Sequence, residues 1–230
     1  SSAASDVYKR QLLTFNFTQM KKLIMLLLAV CLMAPMATAD TNKQLEKALN
    51  KEKKEKMKEY KKEGWKLFAS SRTLEVALLK HYDKLNTLGE DGREVVGVAS
   101  KFKSKNIGKQ MATNNACTTY AQQAGSSLKG RVVSDMAGDG TEAADEFDHF
   151  YGAYERLVEK EIKGEMEESY SIIRDNGDGT FELQTFFIVS ENAASKARLR
   201  ALENAMKESE AAQRHADKIA SFVKEGFTQE

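Results

Sequence analysis

Residues 169–189 read SYSIIRDNGDGTFELQTFFIV. Two runs rich in β-branched and aromatic residues flank Asn176-Gly177-Asp178-Gly179. Asn-Gly and Asp-Gly accept positive φ, so this stretch predicts a β-hairpin with strands over about 166–175 and 180–189. Phe187-Ile188-Val189 is continuously apolar, which predicts a strand end covered on both faces. Asp175, Asn176 and Asp178 are then turn residues rather than cation ligands.

Working outward, Arg93–Phe102 (REVVGVASKF) is the other β-branched run. Gly97 inside it predicts a bulge or a close backbone approach. Ile107, Met111, Ala112, Ala116, Tyr120, Ala121, Ala124 and Leu128 follow at helical spacing, with Gly125 and Gly130 as weak points and Val132–Met136 as a further helical stretch. Ala112 and Ala116 would let this helix lie close to a sheet. Glu142–Ile162 carries Phe147, Phe150, Tyr151 and Tyr154 at i, i+3, i+4 and i+7, the face of a core helix rather than a ligand-stacking box. Thr73–Leu88 is a shorter helix with Ser70, Ser71 and Thr73 as cap candidates, closed by the turn Gly89–Gly92. Ser190 caps a final alanine-rich helix expected to run to about Lys224, its distal half either packing back on the helices of 42–88, the reading preferred, or pairing with a partner.

The fold class is therefore α+β: a small antiparallel sheet of about three strands covered by helices, with long N- and C-terminal helices. The expected organisation is a non-native leader over 1–19, a signal peptide over 20–39, an N-terminal helical segment over 40–92, an α+β domain over 93–206 and a C-terminal helix extension over 207–230. Residues 1–19 (SSAASDVYKRQ at their start) resemble sequencing-adapter read-through. Met20-Lys21-Lys22, the apolar run Leu23–Met33 and Ala37-Thr38-Ala39 are the n-region, h-region and cleavage site of a secretory leader. The run is shorter than the ~20 residues of a membrane span. Leu28-Ala29-Val30-Cys31 has a lipobox outline, but Val30 is bulky and the chain stays apolar after Cys31, so lipidation there is not expected. Cleavage after Ala39 places the protein in the periplasm or cell envelope.

Of 35 basic and 34 acidic residues, the leader takes four and one, leaving 31 against 33. This balance excludes the basic excess of nucleic-acid binders. Charge is unevenly placed. Residues 42–66 hold ten lysines and five glutamates, so the remainder carries a net −7. The segment reads as a solvated helix leading into the domain, or more sharply as an electrostatic arm for an anionic envelope surface. Two cysteines cannot form a scaffold, and Cys117 reads as a small buried hydrophobe.

No nucleophile elbow, zinc-helix motif, phosphate loop, paired-cysteine motif or dinucleotide fingerprint occurs. His81, His149 and His215 are scattered and read as surface or half-buried helix residues. Asp135, Asp139, Gly140 and Glu146 match positions of a calcium loop, but Ala137 removes a ligand, and a solvated loop is the reading preferred. No catalytic, cofactor-binding or metal residue is assigned and no cofactor is expected.

The order of elements, the hairpin, and Gly97, Ser100, Ala112, Ala116 and Ala121 resemble the bacterial envelope domain named after a twenty-kilodalton lipoprotein, the LPP-twenty type, over about Glu94–Ala205. That resemblance implies a non-catalytic envelope protein, often outer-membrane associated. The expected function is interaction or scaffolding with an envelope protein or an anionic envelope surface, including peripheral membrane contact and excluding nucleic acid. The alternative is a small-molecule or lipid carrier, with a pocket between sheet and helices lined by Phe186, Ile188, Tyr120 and Tyr154.

Overall fold

The computed structural model describes residues 44, 46–136 and 147–226, with only the backbone of 135, 136, 210 and 211. The leader, the cleavage site, Cys31, Asp139, Gly140 and Glu146 lie outside the described residues, as does the side chain of Asp135. The chain divides into compact units 1–54 and 55–230. In the first, residues 46–54 are helical.

The second unit opens with helical residues 55–62, α1. Gly64 follows at φ 79°, a left-handed conformation that ends a helix. The chain then forms β1 (Lys66–Leu67), α2 (Leu74–Leu88), a short 3₁₀ turn at Gly89–Asp91, β2 (Gly92–Phe102) and α3 (Lys105–Met136). After the undescribed stretch come α4 (Asp148–Ile162), β3 (Glu167–Asp175), β4 (Phe181–Ser190), α5 (Glu191–Met206), α6 (Glu210–Arg214) and α7 (Ala216–Glu225). Thr73 and Ser190 cap α2 and α5 as expected, each side-chain oxygen accepting from the backbone N–H three residues on.

The fold is α+β. Its antiparallel sheet has four strands, in the order β1-β3-β4-β2. The strand beyond the expected three is β1, two residues long and set against Ile172 and Ile173. The hairpin forms where the sequence placed it: Asn176 N–H bonds Thr180 O at 3.0 Å, and Gly177 and Gly179 both stand at φ 81°. Asp175 and Asp178 accept from the backbone of Gly177 and Thr180 inside the turn.

Helices cover both faces, which is why Thr185–Val189 are all buried. On one face α1 and α2 enclose Tyr60, Trp65, Ala77, Leu78, Tyr170, Ile172 and Phe186. On the other α3 crosses β2 and β4, and α4, α5 and α7 build outward from α3. Gly97 resolves as a close approach. A Cβ there would stand 1.9 Å from the Ala112 carbonyl oxygen. The register shift of β2 lies further on, between Ala99 and Phe102, where Lys101 takes φ 54°.

The weak points Gly125 and Gly130 do not interrupt α3, which runs for 32 residues and takes in the helical stretch expected over 132–136. One expectation about the helices is corrected: the last helix is not continuous. Glu208 N–H and Ser209 N–H bond back three residues in tight 3₁₀ fashion, and Ser209 then caps a new helix through Ala212 N–H. This turn lets α7 fold onto α5 and α3, burying Ile219 and Val223, rather than onto the helices of 42–88. Among the described residues no helix is long and apolar enough to cross a membrane.

Candidate functional site

The most chemically suggestive constellation centres on a bulge in β3. Glu168 pairs with Phe187 and Tyr170 with the adjacent Phe186, so Ser169 is the extra residue. A bulge re-aims side chains. Here it sends Glu168 and Ser171 to the α3 face, and Ser169 and Tyr170 to the α2 face.

On the α2 face, Ser169 Oγ is 3.0 Å from His81 Nδ1, and His81 Nε2 is 2.5 Å from Glu94 Oε2. His81 is 1% exposed, which corrects its reading as a surface or half-buried residue. It sits at the i+3 position from Leu78 and four before Leu85, inside the apolar stripe of α2. That spacing is the sequence signal that could have found it. Its ring meets Tyr170, Tyr82 and Phe186 edge-on, at centroid distances of 5.2, 5.6 and 6.2 Å. Tyr170 stacks on Phe186 at 4.3 Å, and its hydroxyl lies 3.4 Å from that of Tyr60. Burial pushes the phenols of Tyr170 and Tyr60 up.

Serine, imidazole and carboxylate in a row are the parts of a nucleophilic relay. Access runs the wrong way for that role. Glu94 is the exposed end, Ser169 is half-buried, and the imidazole is sealed between them. Both protonation states of the ring keep both bonds, because Ser169 can either donate or accept. The arrangement fixes α2 to β2 and β3 at once.

On the α3 face, Lys109 Nζ reaches Ser171 Oγ at 2.6 Å and Thr185 Oγ1 at 3.3 Å, and pairs with Glu168. Ser171 and Thr185 are buried, at 1% and 0% exposure. A third cluster fixes the C-terminal turn. Buried Arg198 donates to Tyr120 Oη at 2.7 Å and to Val223 O at 3.4 Å, and pairs with Glu191. Burial opposes the charge of Arg198, but its bonds to Glu191 and Tyr120 outweigh this and raise its pKa. Arg131 donates to Phe222 O and Glu225 Oε2, each at 3.0 Å. A cavity of about 10 Å³ beside Arg198, Tyr154 and Val223 has room for roughly one water.

The expected carrier lining does not come together. Phe186 packs against α1 and α2, and Ile188 lies beside it on the register position of Glu94. Tyr120 and Tyr154 belong to the core on the opposite face. All four are under 4% exposed. Phe147, Phe150, Tyr151 and Tyr154 form the core face expected of them. Cys117 is free and buried, and burial pushes its thiol up. His149 and His215 are exposed. Among the described residues no group of three His, Cys, Asp or Glu side chains could hold a metal ion. In comparisons with known proteins, no family model, no curated protein and no solved structure matches this chain.

Proposed function

We propose that the protein is an exported, non-enzymatic component of the bacterial cell envelope, of the LPP-twenty kind, that acts by interaction or scaffolding. The observation that carries this reading is the leader Met20–Ala39, with its two lysines, apolar run and small-residue cleavage site. The interior supports it. His81, Lys109 and Arg198 each join residues from several elements, so the buried polar chemistry holds surfaces in place. The separation of Phe186 and Ile188 from Tyr120 and Tyr154 by the sheet weighs against the carrier alternative.

Export is tested by fusing residues 20–45 to a phosphatase that gains activity only after crossing the inner membrane. Activity that is lost on Leu26→Arg, in the middle of the apolar run, is the expected result. A fusion that stays inactive sinks the reading.

A further inference from the structure

In the sheet order β1-β3-β4-β2, strand β2 forms one edge and is bonded to β4 alone. Val98 N–H points away from β4 and donates to Asn115 Oδ1 at 3.1 Å. Backbone direction alternates along an antiparallel strand, so Glu94 and Val96 aim their N–H and C=O groups to the same free side. Among the described residues no other hydrogen bond reaches this outer backbone between 94 and 98. Such an edge is a template for a further strand. Asn115 is exposed, so an incoming carbonyl displaces its amide at the loss of one solvent-facing bond. Helix α3 runs antiparallel to β2, with Ala112 over Gly97 and Gly108 against Phe102. Ile107 and Met111 precede Asn115 at steps of four, so the three form one row along the edge. Ile107 is 55% exposed, Met111 45% and Val98 44%. Val98 shares the face of Val96, which packs towards α1 and α2, so the free edge has an apolar side chain on either side.

We infer that the free edge of β2 is an interaction surface, and that its partner is an extended peptide segment of another protein, apolar where it lies between Val98 and Met111 and acidic where it passes Lys101, Lys103 and Lys105. Backbone bonds to the open edge supply affinity, and the flanking side chains supply choice. Charge complementarity fixes the chemistry of the partner. The three lysines are exposed at the end of the groove, and no Asp or Glu occurs from 95 through 134. Asp178 lies in the field of Lys101, but its carboxylate is engaged by Thr180 inside the hairpin turn. Charge also argues against a second copy of this chain. Two-fold pairing of β2 with itself about Val98 sets Arg93 of each copy opposite Lys103 of the other, and pairing of Val96 with Val98 sets it opposite Lys101. Like charges facing each other across strands are destabilising. The inference rests on the proposed interaction role and gives that role a surface.

The test uses three synthetic peptides with one strand core of alternating threonine and valine, flanked by a run of aspartate, asparagine or lysine. Each is titrated into the isotope-labelled protein as recovered from cells, and amide shifts and hydrogen exchange are read. The expected result is that the aspartate peptide protects the amides of Glu94, Val96 and Val98 and binds about tenfold more tightly than the asparagine peptide, the effect of a few exposed ion pairs. The lysine peptide binds more weakly still. K101Q/K103Q/K105Q removes the difference between the aspartate and asparagine peptides, and I107S/M111S weakens all three about tenfold or more. These side chains are exposed, and an unchanged circular dichroism spectrum shows that the variants fold. Equal affinity for the three peptides, shifts centred away from β2, or no binding at millimolar peptide overturns the inference. So does a dimer in sedimentation equilibrium whose exchange protection falls on the same edge. Catalytic turnover by the protein sinks the interaction reading whatever the peptides show; an exported protein without turnover whose edge ignores all three peptides overturns only this surface.

Discussion

His81 shows how much one residue can organise. Its imidazole is buried, bonded at both nitrogens, and ringed by aromatic edges. Removing it leaves Ser169 and Glu94 without their shared partner and opens a void at the α2–sheet contact. His81→Ala is expected to cost about 2–4 kcal/mol in urea unfolding, the sum of a cavity and lost hydrogen bonds. Ser169→Ala, which removes one end of the row, should cost nearer ~1 kcal/mol. Equal and negligible effects would mean that the row does not hold α2. Gly97 is the other decisive residue. With Ala112 O only 1.9 Å from any added Cβ, Gly97→Ala must push α3 off β2. About 1–3 kcal/mol of destabilisation by overpacking is expected in the same assay.

At the scale of elements, the last turn of α7 is held by two arginines that bond its terminal carbonyls, Arg131 at Phe222 and Arg198 at Val223. Gly226 follows at φ 75°, so close to Glu191 that a Cβ would meet its carboxylate at 2.5 Å. Arg198→Ala removes a buried cation whose carboxylate partner, Glu191, is half-exposed, and frees the turn. The expected outcome is a loss of about 2–4 kcal/mol, with new proteolytic cleavage between 207 and 226 before global unfolding. Unaltered protection of that segment would show that apolar packing of Ile219 and Val223 suffices.

These elements also show what the sequence could and could not reveal. The Asn-Gly-Asp-Gly hairpin and the Ser190 cap follow from local chemistry and were legible, and Thr73 was among the cap candidates; at Gly97 the sequence left a bulge or a close approach open, and the packing of Ala112 against it decides for the second. The break at 207–209 was not, because the alanine stripe continues through it. Only the gain from laying Ile219 and Val223 on α5 and α3 decides that the chain turns. Strand β1 escaped for a similar reason: two residues carry no periodicity, and Lys66 and Leu67 become a strand only because β3 offers its edge. Of the polar clusters, the spacing of His81 within its apolar stripe was the one visible clue. Glu168, Ser169 and Ser171 depend on a bulge that pairing with β4 creates.

Across the whole molecule, buried phenols set the alkaline limit of stability. Burial pushes Tyr151 up to about 12, and raises Tyr60, Tyr120, Tyr154 and Tyr170 as well. A phenol protonated in the fold but free to ionise when unfolded favours the folded state fully below its ordinary value near 10. That contribution falls as pH rises from about 10 through 12. Unfolding free energy should therefore be flat to about pH 10 and then decline, with phenolate absorbance appearing together with loss of helix. Phenolate formation well below the unfolding transition would contradict the packing described.

Export of the protein stands or falls with the fate of its first 39 residues. Intact-mass measurement of the protein recovered from fractionated cells tests this most directly. The predicted result is a polypeptide beginning at Asp40 in the envelope fraction, without an acyl group. A chain retaining Met20 in the cytosol, or one beginning at a lipidated Cys31, would contradict it.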